Sequence, residues 1–236
     1  MRTALKLGRL LTAAGILAAV AAQLARSISV WRERGDSRID LEIANFFSFF
    51  TIQSNLIGAV VLALAAGWLS RAGALPRWLA LLQLAATTYL LTTGVVYNTL
   101  LRGIDLPQGA TVGWSNEVLH VAAPALLLVD WGLSGRARER PRLGWRALVA
   151  VASYPLLWLT VTMLRGPLIP NELTGEPFWY PYPFLDPNAN GWASVAGTGL
   201  GIAVVVLAVA ALLVLIDRRS SGRGVPSPGR AARYPK

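Results

Sequence analysis

Six apolar runs divide the chain, each long enough to cross a hydrocarbon core, which takes about 20 helical residues. They lie near residues 8–28, 44–68, 77–99, 114–133, 145–165 and 192–216. Of 236 residues, 54% are hydrophobic and 14% charged, and the charges gather in short intervals between the runs. In lipid an unpaired backbone amide is costly, so such runs are helices. The expected fold is therefore an all-α polytopic membrane protein: a six-span transmembrane domain over residues 1–217, followed by a disordered basic cytoplasmic tail over residues 218–236, rich in Gly, Pro, Ser and Arg.

Orientation follows from the basic residues. The N-terminus, the second and fourth loops and the tail hold 16 of the 22 Lys and Arg, while Arg26, Arg32, Arg34, Arg38, Arg102 and Arg165 lie on the other side. The positive-inside rule then places both termini in the cytoplasm. Arginine outnumbers lysine 20 to 2, which reads as a GC-rich bacterial coding sequence and makes the membrane a cell (inner) membrane. The first 25 residues also have the layout of a signal peptide, but the topology downstream is the same whether or not they are removed.

Composition excludes several chemistries. With no cysteine and one histidine, His120, neither a thiolate nucleophile nor a metal site of several imidazoles is available, and no metal or cofactor is expected. Lysine stands only at Lys6 and Lys236, outside the apolar runs, so there is no intramembrane Schiff-base lysine. The net charge of +10 is explained by loops and tails of a membrane protein, and no nucleic-acid partner is expected. Hydroxyl, carboxylate and imidazole chemistry remain.

That chemistry concentrates in two places. The second run opens with NFFSFFTIQSNL, in which helical spacing puts Ser48, Thr51 and Asn55 on one polar stripe and turns Gln53 elsewhere. The fourth run carries Asn116, Glu117, His120 and Pro124 on one face, and Pro124, lacking an N–H, frees the carbonyl of residue 120 and predicts a kink there. Counted from the run starts at Ala44 and Trp114, Thr51 and His120 lie roughly 10 and 9 Å deep, so the two stripes can meet if their spans are neighbours. A neutral imidazole in reach of a threonine hydroxyl can take its proton and make it a nucleophile. Glu117 or Asn116 would then orient the ring, and Asn55, Tyr97 or Asn98 would stabilise an oxyanion. The alternative is structural: intramembrane Ser and Thr bond back to the preceding turn, and a lone histidine packs or lines a pore. Residues 166–191 form a long segment with six prolines and five aromatics, either a lid or binding element or a stiff cap resting at the interface.

NFFSFFTIQSNL, followed by NEVLHVAAP and the aromatic-proline segment FWYPYPFLDP, resembles the androgen-induced transmembrane hydrolase family, more closely its bacterial six-helix relatives. The resemblance covers most of the six-span region, and its specific part is the threonine and histidine neighbourhoods. It implies Thr51 and His120 as a catalytic pair, and a threonine-type hydrolase of lipid metabolism that cleaves fatty acid esters of hydroxy fatty acids in the animal members. The expected partner is a membrane lipid or fatty acid ester substrate. A lipid-binding or small-solute transport protein would use the same stripes to line a cavity. Transporters show broken spans in matching halves, whereas central prolines occur here only in the fourth and fifth runs, at Pro124 and Pro155.

Overall fold

A computed structural model describes residues 2–70, 74–104, 111–137 and 139–219. Arg71, Arg138 and the expected tail from residue 220 onward lie outside the described residues; residues 218 and 219 of that tail end the last helix. The described residues are all-α and strand-free, with six helices long and apolar enough to cross a membrane. In order these are α1 (Arg2–Arg34), a short α2 (Ile39–Ser48), α3 (Phe50–Leu69), α4 (Arg77–Val96), α5 (Gly113–Glu117), α6 (Ala123–Arg136), α7 (Arg146–Arg165) and α8 (Pro187–Arg219). A π-helical turn, Tyr97–Leu101, extends α4, and a second, Val118–Ala122, joins α5 to α6 so that they form one crossing. Gly191, at φ 75° where only glycine sits without strain, bends the start of α8 just before Trp192.

The second crossing departs from the helix expected to begin at Ala44. It breaks at Phe49, whose φ and ψ of −62° and 131° are extended, so Ser48 ends one helix and Thr51 is the second residue of the next. Aromatic residues carry no periodic mark of such a break. What draws Phe49 out of helical geometry is tertiary: its buried ring meets Trp179 and Tyr182 edge-on, at centroid distances of 5.7 and 5.4 Å. A pair of this kind contributes about 0.5–1.5 kcal/mol beyond its burial.

α4 lies at the centre, with nearly three-quarters of its most apolar stretch buried, and α7 at the edge, with 17%. At the end of the bundle away from Thr51 the helices are tied by charge. The side chain of Arg9, 0% exposed, reaches Asp130 at 2.7 Å and Glu139 at 3.1 Å, and Gln83 donates to the other Asp130 oxygen at 2.5 Å. Arg140 lies 3.5 Å above the Trp131 ring and donates to the Trp131 carbonyl at 2.8 Å and to Asp217 at 2.9 Å. Arg9 and Arg140, which enter the sequence reading only as topology markers, are thus interior residues. Because α1 supplies Arg9, its removal would leave Asp130 and Glu139 buried without that cation.

Candidate active site

The break at Phe49 makes Thr51 unusual. As one of the first residues of α3 it has a backbone N–H with no intrahelical acceptor, and this N–H is donated to the phenol oxygen of Tyr182 at 3.2 Å. Tyr182 comes from the proline-rich segment, is fully buried, and stacks on Phe184 at 5.2 Å. Burial pushes its phenol above the ordinary value, so at neutral pH it keeps its proton.

His120 sits in the π-helical turn Val118–Ala122, where the sequence predicts a kink. The turn is closed by the N–H of Ala123 on the carbonyl of Val118, and Pro124 has no N–H to offer the carbonyl of His120. That carbonyl packs against Gly94: a β-carbon at Gly94 would lie 2.9 Å from it, so any side chain there would push α4 away from the turn. Tyr97, in the π-helical turn that extends α4, stacks on the imidazole with centroids 3.9 Å apart and planes 24° from parallel. Single π-turns inside α-helices recur at functional sites, and here two stand side by side and hold one ring stack.

The hydrogen bonds have one consistent direction. The Nδ1 of His120 is 2.9 Å from the carbonyl oxygen of Asn116, which can only accept, so Nδ1 carries the proton and Nε2 a lone pair. Nε2 faces the Thr51 hydroxyl at 3.4 Å, and the same hydroxyl oxygen lies 3.2 Å from the Tyr182 phenol. Nε2 can only accept, so the one Thr51 hydroxyl proton goes to it and the phenol, which accepts the Thr51 N–H, donates to the Thr51 oxygen. The separation of 3.4 Å is at the long end of hydrogen-bond distances.

The remaining expected residues fall as follows. Ser48 does not share a stripe with Thr51, because the helix is interrupted between them; its hydroxyl bonds back to the Asn45 carbonyl at 2.6 Å and its carbonyl accepts Trp158. Asn55 spends its two amide protons on the carbonyls of Thr51 and Leu119, at 2.9 and 3.2 Å, so it braces α3 against the histidine turn and has no proton left for an oxyanion. Tyr97 is a stacking partner, with its hydroxyl bonded to the Asn116 side chain. Asn116 orients His120 through its backbone carbonyl. Glu117 is turned away: it pairs with Arg102 at 3.0 Å, half exposed, and Arg102 also bonds Asn98 at 2.8 Å. Gln53 indeed points elsewhere, to Phe47 and Tyr154. Tyr182, Gly94 and Gly166 are absent from the sequence reading; only the segment containing Tyr182 has a signal, its crowd of prolines and aromatics.

Gly166 anchors that segment. Its carbonyl accepts the N–H of Trp179 at 3.0 Å, and a β-carbon on it would fall 2.2 Å from the Tyr180 ring. Gly166→Ala should therefore cost about 1–3 kcal/mol by overpacking. Gly67→Ala, with nothing within 4 Å, should be neutral or stabilising by up to about 1 kcal/mol. Chemical-unfolding midpoints of the two purified variants check this, and equal midpoints would mean that the segment is not seated on Gly166.

Beside Thr51 a cavity of about 320 Å³ opens between α4, α7 and α8. Thr51, Thr92, Thr93 and Tyr182 bring hydroxyls to it, and the rest of its wall is mostly apolar or aromatic. Among the described residues no group of three or more His, Asp or Glu is placed to hold a metal ion.

The fold and site define a polytopic α-helical membrane protein with six apolar candidate spans, compatible with membrane enzymes of the six-helix hydrolase-like kind. No family model, no curated protein and no solved structure matches the chain.

Proposed function

We propose that this protein is an acyl-ester hydrolase of the membrane with Thr51 as nucleophile and His120 as general base, related in chemistry to the androgen-induced transmembrane hydrolases that its sequence resembles. The observation that carries the reading is the directed hydrogen-bond chain from Tyr182 through Thr51 and His120 to the carbonyl of Asn116. It has the logic of a hydrolase triad, in which a fixed acceptor sets the tautomer of the base and the base faces the nucleophile. Here the acceptor is a peptide carbonyl.

In the first half-reaction, Thr51 Oγ1 bonds to the ester carbonyl carbon while Nε2 of His120 takes the hydroxyl proton. The carbon–oxygen bond to the alcohol then breaks, and Nε2 returns the proton to the leaving oxygen. Water next attacks the acyl-threonine, gives a proton to Nε2, and releases the carboxylic acid as that proton returns to Thr51. The negative oxygen of each tetrahedral intermediate would form beside the Tyr182 phenol, which donates to it, at the start of α3, where the helix dipole favours an anion. In this reading the six spans form one transmembrane domain, whose last helix runs to Arg219. Both termini are cytoplasmic in this reading, with the Tyr182 segment outside; a reporter fused after the last helix that read as external would reverse that assignment.

The direct test is labelling by a fluorophosphonate-type hydrolase probe followed by peptide mapping, with the adduct expected on Thr51. Labelling at full strength in Thr51→Ala would remove Thr51 from the mechanism. Folded protein that neither labels nor hydrolyses any lipid ester would return the site to lipid binding or transport.

A further inference from the structure

The cavity beside Thr51 exists because of features of α7 and α8 that the hydrolytic chemistry does not use. Pro155, in the middle of α7, cannot donate to the carbonyl of Val151, and Tyr89 of α4 fills that vacancy with a hydroxyl at 2.7 Å. This bond fastens the lower part of α7 to α4. Toward Thr51, where Ala152, Pro155, Leu156 and Leu159 face the void, the opposing positions of α8 include the small residues Gly199 and Ala203. A β-carbon on Gly199 would meet only a leucine methyl, at 3.7 Å. The helices are thus held together below and left apart above.

Three observations identify what belongs in the gap. The cavity has a polar end, at Thr51 and Tyr182, and a blind apolar end, because Val206 of its wall belongs to a packed cluster with Tyr89, Val151 and Ala210. It is open sideways: Leu156 and Leu207 line it and are also 56% and 42% exposed on the outer surface of the bundle, the surface that meets acyl chains in a spanning protein. Its size is limited, since about 320 Å³ is near the lower bound of ligand pockets, roughly 300–1,000 Å³. From Leu159 to Ala152 on α7 the wall runs roughly 10 Å at 1.5 Å per residue. An extended chain with C–C bonds of about 1.5 Å advances about 1.25 Å per carbon, so the wall spans roughly eight to ten carbons.

We propose that this cavity binds a single unbranched acyl chain of about eight to ten carbons, entered from the lipid phase between α7 and α8, with the methyl end against Val206. A two-chain glycerolipid cannot seat both chains in it. The placement of the acyl carbonyl at Thr51 rests on the hydrolase reading; occupancy of the cavity does not.

The test uses decanoic acid carrying a terminal diazirine, photolysed with the purified full-length protein and followed by peptide mapping. Adducts are expected within residues 152–159 and 199–207. Ala203→Phe and Gly199→Leu, which put side chains into the gap, should each reduce labelling about tenfold, equivalent to about 1.4 kcal/mol of binding. Unlabelled decanoate should compete, and a phosphatidylcholine with two ten-carbon chains should not, a comparison that decides the matter even if neither filled variant folds. Adducts spread over the outer surface, labelling indifferent to both filled variants, or equal competition by the two-chain lipid would each overturn the proposal. Specific labelling without hydrolysis of any ester would sink the hydrolase reading and leave this one standing; hydrolysis without cavity labelling would do the reverse.

Discussion

Thr51→Ala and His120→Ala are each expected to reduce hydrolysis of medium-chain lipid esters on the order of 10⁴-fold or more, and the double variant should be no worse than either alone. Members of one catalytic unit are non-additive in this way, since once the nucleophile or its base is missing the other has nothing to act on. The fold should survive, because neither change removes a large apolar group and Thr51 keeps the backbone N–H that meets Tyr182. Tyr182→Phe removes one donor from the oxyanion position and should cost about 10²–10³ in kcat. Activity should fall on the acid side of the pH profile, because a proton on Nε2 removes the lone pair that faces Thr51. Steady-state rates on purified protein in lipid nanodiscs, with folded fraction measured alongside, would check all five outcomes. A Thr51→Ala variant that turned over at the wild-type rate would end the threonine mechanism.

Arg9→Leu is expected to destabilise the bundle by about 3–5 kcal/mol, the cost of leaving a buried carboxylate without its partner. Asp130 and Glu139 are 7% and 1% exposed and converge on the same guanidinium from the fourth crossing and the segment beyond it. An intact buried ion network contributes little net stability, because desolvation offsets attraction; its loss in part is what costs. Replacing Arg9, Asp130 and Glu139 together by Met, Leu and Gln should therefore recover most of what Arg9→Leu loses. The measurement is the midpoint of unfolding in mixed detergent for the single and triple variants. If the single variant unfolds with the wild type, the network is an ornament of the helix ends. A triple variant as unstable as the single one would mean that packing around Arg9, and not its charge, is what matters.

The six crossings were readable from the chain because length and apolarity are local properties: about 20 apolar residues satisfy their own backbone only as a helix, whatever surrounds them. The disturbance at His120 was readable for the same reason, since Pro124 lacks an N–H in every context. The proline-rich segment could be marked as unusual, but nothing in its spacing selects Tyr182 over Tyr180. Only the tertiary structure decided the rest. Helical arithmetic ran Ser48, Thr51 and Asn55 together because it assumed an unbroken helix, while the packing of Phe49 on Trp179 and Tyr182 breaks it. Glu117 stands one helical turn before His120, on the same face; in three dimensions it goes to Arg102, and the backbone carbonyl of Asn116, which no sequence pattern displays, meets the ring instead. Arg9 and Asp130 are 121 residues apart, and Thr51 and Tyr182 are 131 apart. Each pair forms only because separate helices, individually specified by their own apolar runs, pack in one particular order.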